Sequence, residues 1–148
     1  MIALDTNVLV YAHRADSAFH GRARSALESL AASARPWAIP WPCIHEFLAV
    51  VTHPRIYKTA TPLETAMAQL RALRAVPHLV LIGEADDHLD HLGGLAVAAR
   101  VQGGAVHDAR IAAICLSHGV AELWSADRDF SRFPRLPVRN PLIDSKAP

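Results

Sequence analysis

Short apolar runs alternate along this chain with longer segments in which apolar residues recur every three or four positions. The short runs predict four buried β-strands at residues 1–4, 37–39, 78–82 and 120–124. The longer segments predict helices at residues 8–13, 19–34, 42–52, 62–75, 86–101 and 107–118. Strands that alternate with helices predict an α/β fold, with a three-layer α/β/α arrangement around a mainly parallel sheet.

Acidic residues lie where these predicted elements meet. Asp5 comes directly after the first strand, and Asp127 follows the last predicted one. Asp108 lies at the start of the last helix, and Glu46 lies on the third helix. Because the carboxyl ends of parallel strands meet at one edge of a sheet, the sequence predicts a cluster of carboxylates there.

Four carboxylates in one small pocket repel each other, and their pKa values rise until some of them stay protonated. A divalent cation removes this conflict. Carboxylate oxygens without nearby cysteine ligands favour a hard ion, Mg²⁺ or Mn²⁺. Such an ion can activate a water molecule and offset the charge of a phosphate under attack, so the pattern indicates hydrolysis of phosphodiester bonds.

Length and composition fit one globular domain. The chain has 148 residues, of which 51% are hydrophobic, and a formal net charge of +1. We expect a single domain over residues 1–142 and a loose C-terminal tail at 143–148. No apolar run reaches the roughly 18 residues of a membrane span, and the N-terminus has no signal peptide, so we expect a cytoplasmic protein. Cys43 and Cys115 lack metal-ligand spacing and are expected to be buried.

The four acidic residues lie in motifs that occur together in a known nuclease family. The motifs are LDTNVLVYA around Asp5, HEF around Glu46, VHDARIAAICLSHGV around Asp108 and LWSADRDFSRFP around Asp127. In their order and local context these motifs resemble those of the PIN-domain nucleases, and most closely those of the VapC toxins of bacterial toxin-antitoxin operons. The resemblance extends from residue 2 to about residue 142.

This resemblance implies a PIN-like fold and a Mg²⁺- or Mn²⁺-dependent endoribonuclease that acts on tRNA or ribosomal RNA. It implies that Asp5, Glu46, Asp108 and Asp127 form the catalytic and metal-binding cluster. We expect Asp5 and Asp108 to bind the metal directly and Asp127 to bind it directly or through water. Glu46 is expected to orient a water molecule or a second ion.

Further residues and partners follow from the same resemblance. Thr6, Asn7 and Ser125 are polar motif residues that are expected to support the cluster. Arg128 and Arg132 come soon after the last acidic residue and are candidate contacts to RNA phosphates. The family also implies a cognate VapB-type antitoxin as partner and a homodimer.

Other interpretations of these residues stay open at this point. A haloacid-dehalogenase-like phosphatase also begins with an Asp after a strand, but it needs a second Asp two residues later, where this chain has Asn7. A non-catalytic RNA-binding or partner-binding module with the same fold is another alternative. Asp129 either joins the cluster or caps a turn.

Two further features have competing interpretations. His88 and His91, together with Asp87, either form a second metal site or belong to the solvated start of a helix. The aromatic residues Trp41 and Tyr57 are expected mainly in the core, although an apolar partner groove is the alternative.

Overall fold

The computed structural model describes residues 1–143 and contains five strands and six α-helices in that range. The strands are β1 (Ile2–Leu4), β2 (Trp37–Pro40), β3 (Leu79–Ile82), β4 (Glu122–Trp124) and β5 (Val138–Arg139). The helices are α1 (Thr6–His13), α2 (His20–Ala31), α3 (Trp41–Val51), α4 (Leu63–Arg74), α5 (His88–Ala98) and α6 (Ala105–Ser117). A short 3-10 helix, Arg128–Arg132, lies between β4 and β5.

The five strands form one parallel sheet in the order β3-β2-β1-β4-β5. In the central strand, Ala3 lies opposite Ala38 of β2 and Leu123 of β4. The chain adds β2 and β3 on one side of β1 and then crosses to the other side for β4. This reversal lies at the carboxyl end of β1, which is where open parallel sheets bind ligands. The predicted α/β/α fold with a mainly parallel sheet is confirmed.

Helix α6 is buried against the sheet along most of its length. Its segment Ala109 to Cys115 contains six buried residues, three of them alanines that allow close packing. The helix ends at Gly119, whose φ of 65° favours glycine. The backbone N–H of Val120 then donates to the carbonyl of Cys115 at 2.9 Å. This Schellman turn directs the chain from α6 straight into β4, so both elements contribute residues to the same sheet edge.

The structure differs from the predicted elements mainly at their ends. Helix α1 begins at Thr6, two residues before its predicted start, because the Asp5 side chain accepts a hydrogen bond from the Thr6 N–H and caps the helix. Helix α5 covers 88–98 rather than 86–101, and Arg100 just beyond it has a φ of 51°, which is incompatible with helix. Strand β5 was not predicted, because two exposed residues form no apolar run.

The predicted tail at 143–148 lies outside the described residues except for Ile143, which is 61% exposed. Among the helices of residues 1–143, none is both long and apolar enough to cross a lipid bilayer. Cys43 and Cys115 are free and buried, as predicted.

Candidate active site

Asp5 lies at the point where β1 ends and α1 begins. Its backbone N–H donates to the carbonyl of Trp124 at 3.0 Å, which continues the pairing of β1 with β4. Its carboxylate caps α1 and is only 4% exposed. Because β1 is the central strand of the sheet, Asp5 lies at the centre of the carboxyl edge of the sheet.

Four donors surround the Asp5 carboxylate. Its Oδ1 accepts from the Thr6 N–H at 2.7 Å and from the Cys43 thiol at 3.6 Å. Its Oδ2 accepts from Asn7 Nδ2 at 2.7 Å and from Ser125 Oγ at 2.6 Å. These donors fix the orientation of the carboxylate, and the Cys43 thiol is the weakest of them because S–H is a poor hydrogen-bond donor.

The same donors bond to each other and to the segment after β4. Asn7 Nδ2 also donates to Ser125 Oγ at 3.1 Å, and Asn7 Oδ1 accepts from the Ala126 N–H at 3.0 Å. Ser125 Oγ accepts from the Asp127 N–H at 2.9 Å. The network therefore connects Asp5 to Asp127 through two intervening side chains and fixes the end of β4 relative to the end of β1.

Glu46 faces Asp5 from helix α3. Its Oε2 accepts a hydrogen bond from the Thr6 hydroxyl at 2.6 Å, and its side chain is otherwise exposed. Cys43, one turn earlier on α3, is fully buried, and burial raises the pKa of its thiol well above the ordinary value. The thiol therefore stays protonated and can donate to Asp5.

Asp108 and Asp127 approach the site from α6 and from the end of β4. One carboxylate oxygen from each, together with one from Asp129, forms a group whose members lie within 4.8 Å of one another. Asp127 also accepts from the Asp129 N–H at 2.8 Å and caps the 3-10 helix. The sequence allows two roles for Asp129, a cluster residue or a turn cap, and the structure places its carboxylate in the cluster.

The pKa values report the crowding of negative charge. Burial, then the charges of Asp127 and Asp5, raise the pKa of Asp108 from 3.8 to about 6. Burial also raises the pKa of Asp5, although the hydrogen bonds from Ser125 and Thr6 oppose the rise. Within residues 1–143, no arginine, lysine or histidine forms an ion pair with Asp5, Glu46, Asp108 or Asp127.

These four acids line one cavity of about 350 Å³ at the carboxyl edge of the sheet. The donor set suits Mg²⁺ or Mn²⁺, because it consists of carboxylate oxygens. One oxygen each from Asp108, Asp127 and Asp129 lie within 4.8 Å of one another, so one small ion could contact all three. Within residues 1–143, the charges of Asp5, Glu46, Asp108 and Asp127 have no ion-paired protein cation, which is a second reason why the site fits a divalent ion.

The other sequence expectations have mixed outcomes. Arg128 and Arg132 are exposed on the 3-10 helix beside the acids, and Arg132 lies 3.9 Å from Asp129. His91 pairs with Asp87 at 3.1 Å across one turn of α5. In the part of the chain that the structure describes, His88 joins no group of three potential metal ligands, and its Nδ1 atom is buried without a hydrogen-bond partner. Neither the second metal site nor the solvated helix start is confirmed for His88.

Aromatic residues at the cavity were not assigned to it from the sequence. Tyr11 and Tyr57 line the cavity together with Ile56. Tyr57 is partly buried and packs against the core, as expected, although it also lines the cavity. The expectation of a core position is wrong for Trp41, which is 40% exposed. The spacing of Asn7 and Tyr11, one helical turn apart on α1, was the only available signal for Tyr11.

Comparison with known proteins agrees with this geometry. Residues 2–136 match the PIN domain family, so the chain belongs to that family. Ribonuclease VapC43 of Mycobacterium tuberculosis is 37% identical over 142 residues, which cover 96% of both proteins. Ribonuclease VapC48 of the same species is 32% identical over 138 residues, which cover 93% of this chain and 95% of that relative.

Solved structures with low sequence identity share the fold. VapBC2 from Rickettsia felis, bound to a DNA fragment from its promoter, has a TM-score of 0.71 at 23% identity and covers 95% of this chain and 98% of its own. The sarcin-ricin loop cleaving toxin VapC20 of Mycobacterium tuberculosis has a TM-score of 0.65 at 19% identity, with coverage of 88% and 93%. The resemblance to the PIN-domain family, inferred from four motifs, is therefore confirmed.

The raised pKa of Asp108 makes the stability of the metal-free chain depend on pH. The folded chain holds this proton up to about pH 6, whereas the unfolded chain releases it near the ordinary value, so stability falls as pH rises from roughly 4 to 6. Asp108→Asn removes that fall. In EDTA, the free energy of unfolding of Asp108→Asn relative to wild type should therefore increase over this range and level off above it, measured by urea unfolding.

The control for this measurement is Val106→Ala, an exposed position on the same helix that does not titrate. Its difference from wild type should stay constant with pH. A constant difference for Asp108→Asn as well would contradict the electrostatic origin.

Proposed function

We propose that this chain is the toxin of a toxin-antitoxin pair, a Mg²⁺- or Mn²⁺-dependent endoribonuclease that hydrolyses phosphodiester bonds in tRNA or ribosomal RNA in the cytoplasm. The observation that carries the proposal is the cavity where Asp5, Glu46, Asp108 and Asp127 converge at the sheet edge. The names of the VapC ribonucleases, which match almost the whole chain, support the same reaction.

In this proposal, Asp5 and Asp108 hold the cation directly, and Asp127 holds it directly or through water. One oxygen each from Asp108, Asp127 and Asp129 lie within 4.8 Å of one another, which supports the roles of Asp108 and Asp127 and makes Asp129 a further candidate ligand. When bound, the cation lowers the pKa of water and offsets the charge of the phosphate.

The chain's own side chains orient the reaction. Glu46 is held toward the cavity by the Thr6 hydroxyl, and in this position it orients the attacking water and accepts its proton. Asn7 and Ser125 keep the Asp5 carboxylate in a fixed orientation. Arg128 and Arg132 contact RNA phosphates beside the acids.

The nuclease is tested by incubating the purified chain with total tRNA and ribosomal RNA in Mn²⁺ or Mg²⁺. Discrete fragments with 5′-phosphate and 3′-hydroxyl ends are expected, because water attacks phosphorus directly. Chelation by EDTA should abolish cleavage. Asp5→Asn and Asp108→Asn should each lower the rate at least about 100-fold, because a ligand or its orientation is lost.

Asp86→Asn is the matched control, because Asp86 is exposed and does not line the cavity. It should cleave at the wild-type rate. If folded wild-type protein leaves every RNA intact in all metal conditions, the non-catalytic binding module replaces the nuclease. Fragments with cyclic phosphate ends would also overturn the mechanism, because the RNA 2′-hydroxyl would then be the nucleophile.

Metal binding has a readout that does not need catalysis. Mn²⁺ at about 100 times its Kd should stabilise the folded chain by about 2.7 kcal/mol, which raises Tm by roughly 5–10 °C for a chain of this size. A double variant, Asp108→Asn with Asp127→Asn, should lose this increase in a thermal unfolding experiment. Asp86→Asn should retain it, and an equal Tm increase in the double variant would place the ion elsewhere.

A VapB-type antitoxin is the partner that we propose, together with a homodimer of this chain. The structural neighbours include a toxin-antitoxin complex from Klebsiella pneumoniae, which supports this assignment. Induced wild-type chain should arrest growth of a bacterial host, and Asp5→Asn should not. Co-expression of the antitoxin should restore growth and give a complex that contains two copies of this chain by light scattering. Growth arrest that persists in the co-expressing strain would contradict the pairing.

A further inference from the structure

The cavity that contains the acids is also lined by large uncharged side chains. We call the part of the lining formed by Tyr11, Ile56 and Tyr57 the tyrosine half of the cavity. Both tyrosines are partly buried, and Ile56 is 53% exposed although it borders a strongly acidic site. Core packing does not account for a large apolar side chain in this position, because more than half of its surface faces solvent.

The wall that carries Tyr57 is fixed by several contacts to α1 and α3. The guanidinium of Arg14 lies 4.0 Å from the centre of the Tyr57 ring and donates to the carbonyl of Thr59 at 2.8 Å. His13 Nε2 lies 3.0 Å from Thr61 Oγ1, and the Thr61 N–H donates to the carbonyl of Val51 at 2.8 Å. The segment between α3 and α4 is therefore held in place before any ligand binds.

The charges next to this wall do not attract phosphate. Arg14 is paired with Asp16, so its charge is offset locally. The carboxylates in the other half of the cavity repel any phosphate that no cation neutralises. The part of a ligand that enters the tyrosine half is therefore uncharged, and aromatic walls favour a flat, stackable group.

We propose that Tyr11, Ile56 and Tyr57 form a binding site for one unpaired nucleobase next to the phosphate that is cleaved. This inference rests on the proposed ribonuclease function and assigns the part of the substrate that gives specificity. The shared cavity of about 350 Å³ is in the lower part of the usual range for small-ligand sites, roughly 300–1,000 Å³. A base inside a duplex cannot reach such walls, so the substrate is RNA whose base is unstacked at the cleavage point.

The test compares the equilibrium binding of AMP, GMP, CMP and UMP with that of ribose 5-phosphate, in the presence of Mg²⁺. The wild-type chain should bind at least one of the four nucleotides about tenfold or more tightly than ribose 5-phosphate. Tyr57→Leu and Ile56→Ser should each lower this preference about fivefold or more. Their affinity for ribose 5-phosphate should not change, because the acidic half is intact.

Two control variants separate a base contact from a general structural effect. Tyr57→Phe keeps the aromatic ring and the contact with Arg14, so it should retain the preference. Val97→Ser matches Ile56→Ser in chemistry at an exposed position on α5, where Val97 is 79% exposed, and should also retain it. Equal binding of ribose 5-phosphate and all four nucleotides by the wild-type chain would overturn the proposal.

A cleavage assay distinguishes the failure of this inference from the failure of the proposed function. On the RNA cleaved above, Tyr57→Leu should raise KM by about 5- to 100-fold with little change in kcat, because a ground-state stacking contact is lost. Cleavage with an unchanged KM would contradict the proposed base site but not the proposed nuclease function. A nucleotide preference without any RNA cleavage would support the proposed base site and contradict the proposed nuclease function. Variants that keep the nucleotide preference but lose antitoxin binding would assign the surface to the protein partner and overturn the base site.

Discussion

A carboxylate buried at the centre of a parallel sheet needs hydrogen-bond donors around it, and this requirement organises the molecule around Asp5. The donors come from three parts of the chain: the first turn of α1, the buried face of α3 and the end of β4. Each must arrive with the correct geometry, because an unmatched buried carboxylate would cost several kcal/mol. The contacts that satisfy Asp5 also fix the ends of β1 and β4. The fold and the candidate site therefore depend on the same hydrogen bonds.

The remaining acids add a second constraint, which concerns charge rather than hydrogen bonding. Asp108 lies on the same helix as Arg110, yet Arg110 pairs with Glu84 instead. Within the described residues, Arg14 is likewise paired with an acid outside the cluster. Because Arg14 and Arg110 pair elsewhere and, within residues 1–143, Arg132 reaches only Asp129, at 3.9 Å, the cluster keeps its repulsion, visible in the raised pKa of Asp108. The acids keep their affinity for a cation at the expense of stability in the metal-free chain.

The sequence predicted the parts of the structure that depend on local patterns. Four of the five strands follow from apolar runs, and the ends of β1 and β4 follow from the acids after them. Strand β5 has no apolar run, although the carbonyl of Arg139 accepts the Ser125 N–H at 2.9 Å and so helps to position a site residue. Its pairing with β4 depends on tertiary contacts that no local pattern of the sequence displays.

The aromatic wall illustrates the same limit. Tyr57 reaches the cavity because Arg14 and Thr59 hold the segment between α3 and α4 against α1. These contacts join residues more than 40 positions apart, and no periodicity or spacing in a single sequence encodes them. Motifs identified the acids because each motif is local, whereas the side chains that border them come from a loop whose path only tertiary packing determines.

Helix α1 joins both halves of the cavity. Asp5 and Asn7 lie at its start, Tyr11 lies one turn later on the same face, and Arg14 at its end holds Tyr57. One turn of a helix rises about 5.4 Å, so the acidic half and the tyrosine half are separated by a short and fixed distance. In the proposed base site, the phosphate lies beside the acids at the start of α1, and the base lies beside Tyr11 one turn later. The helix that caps the central carboxylate thus also carries one wall of the proposed base site.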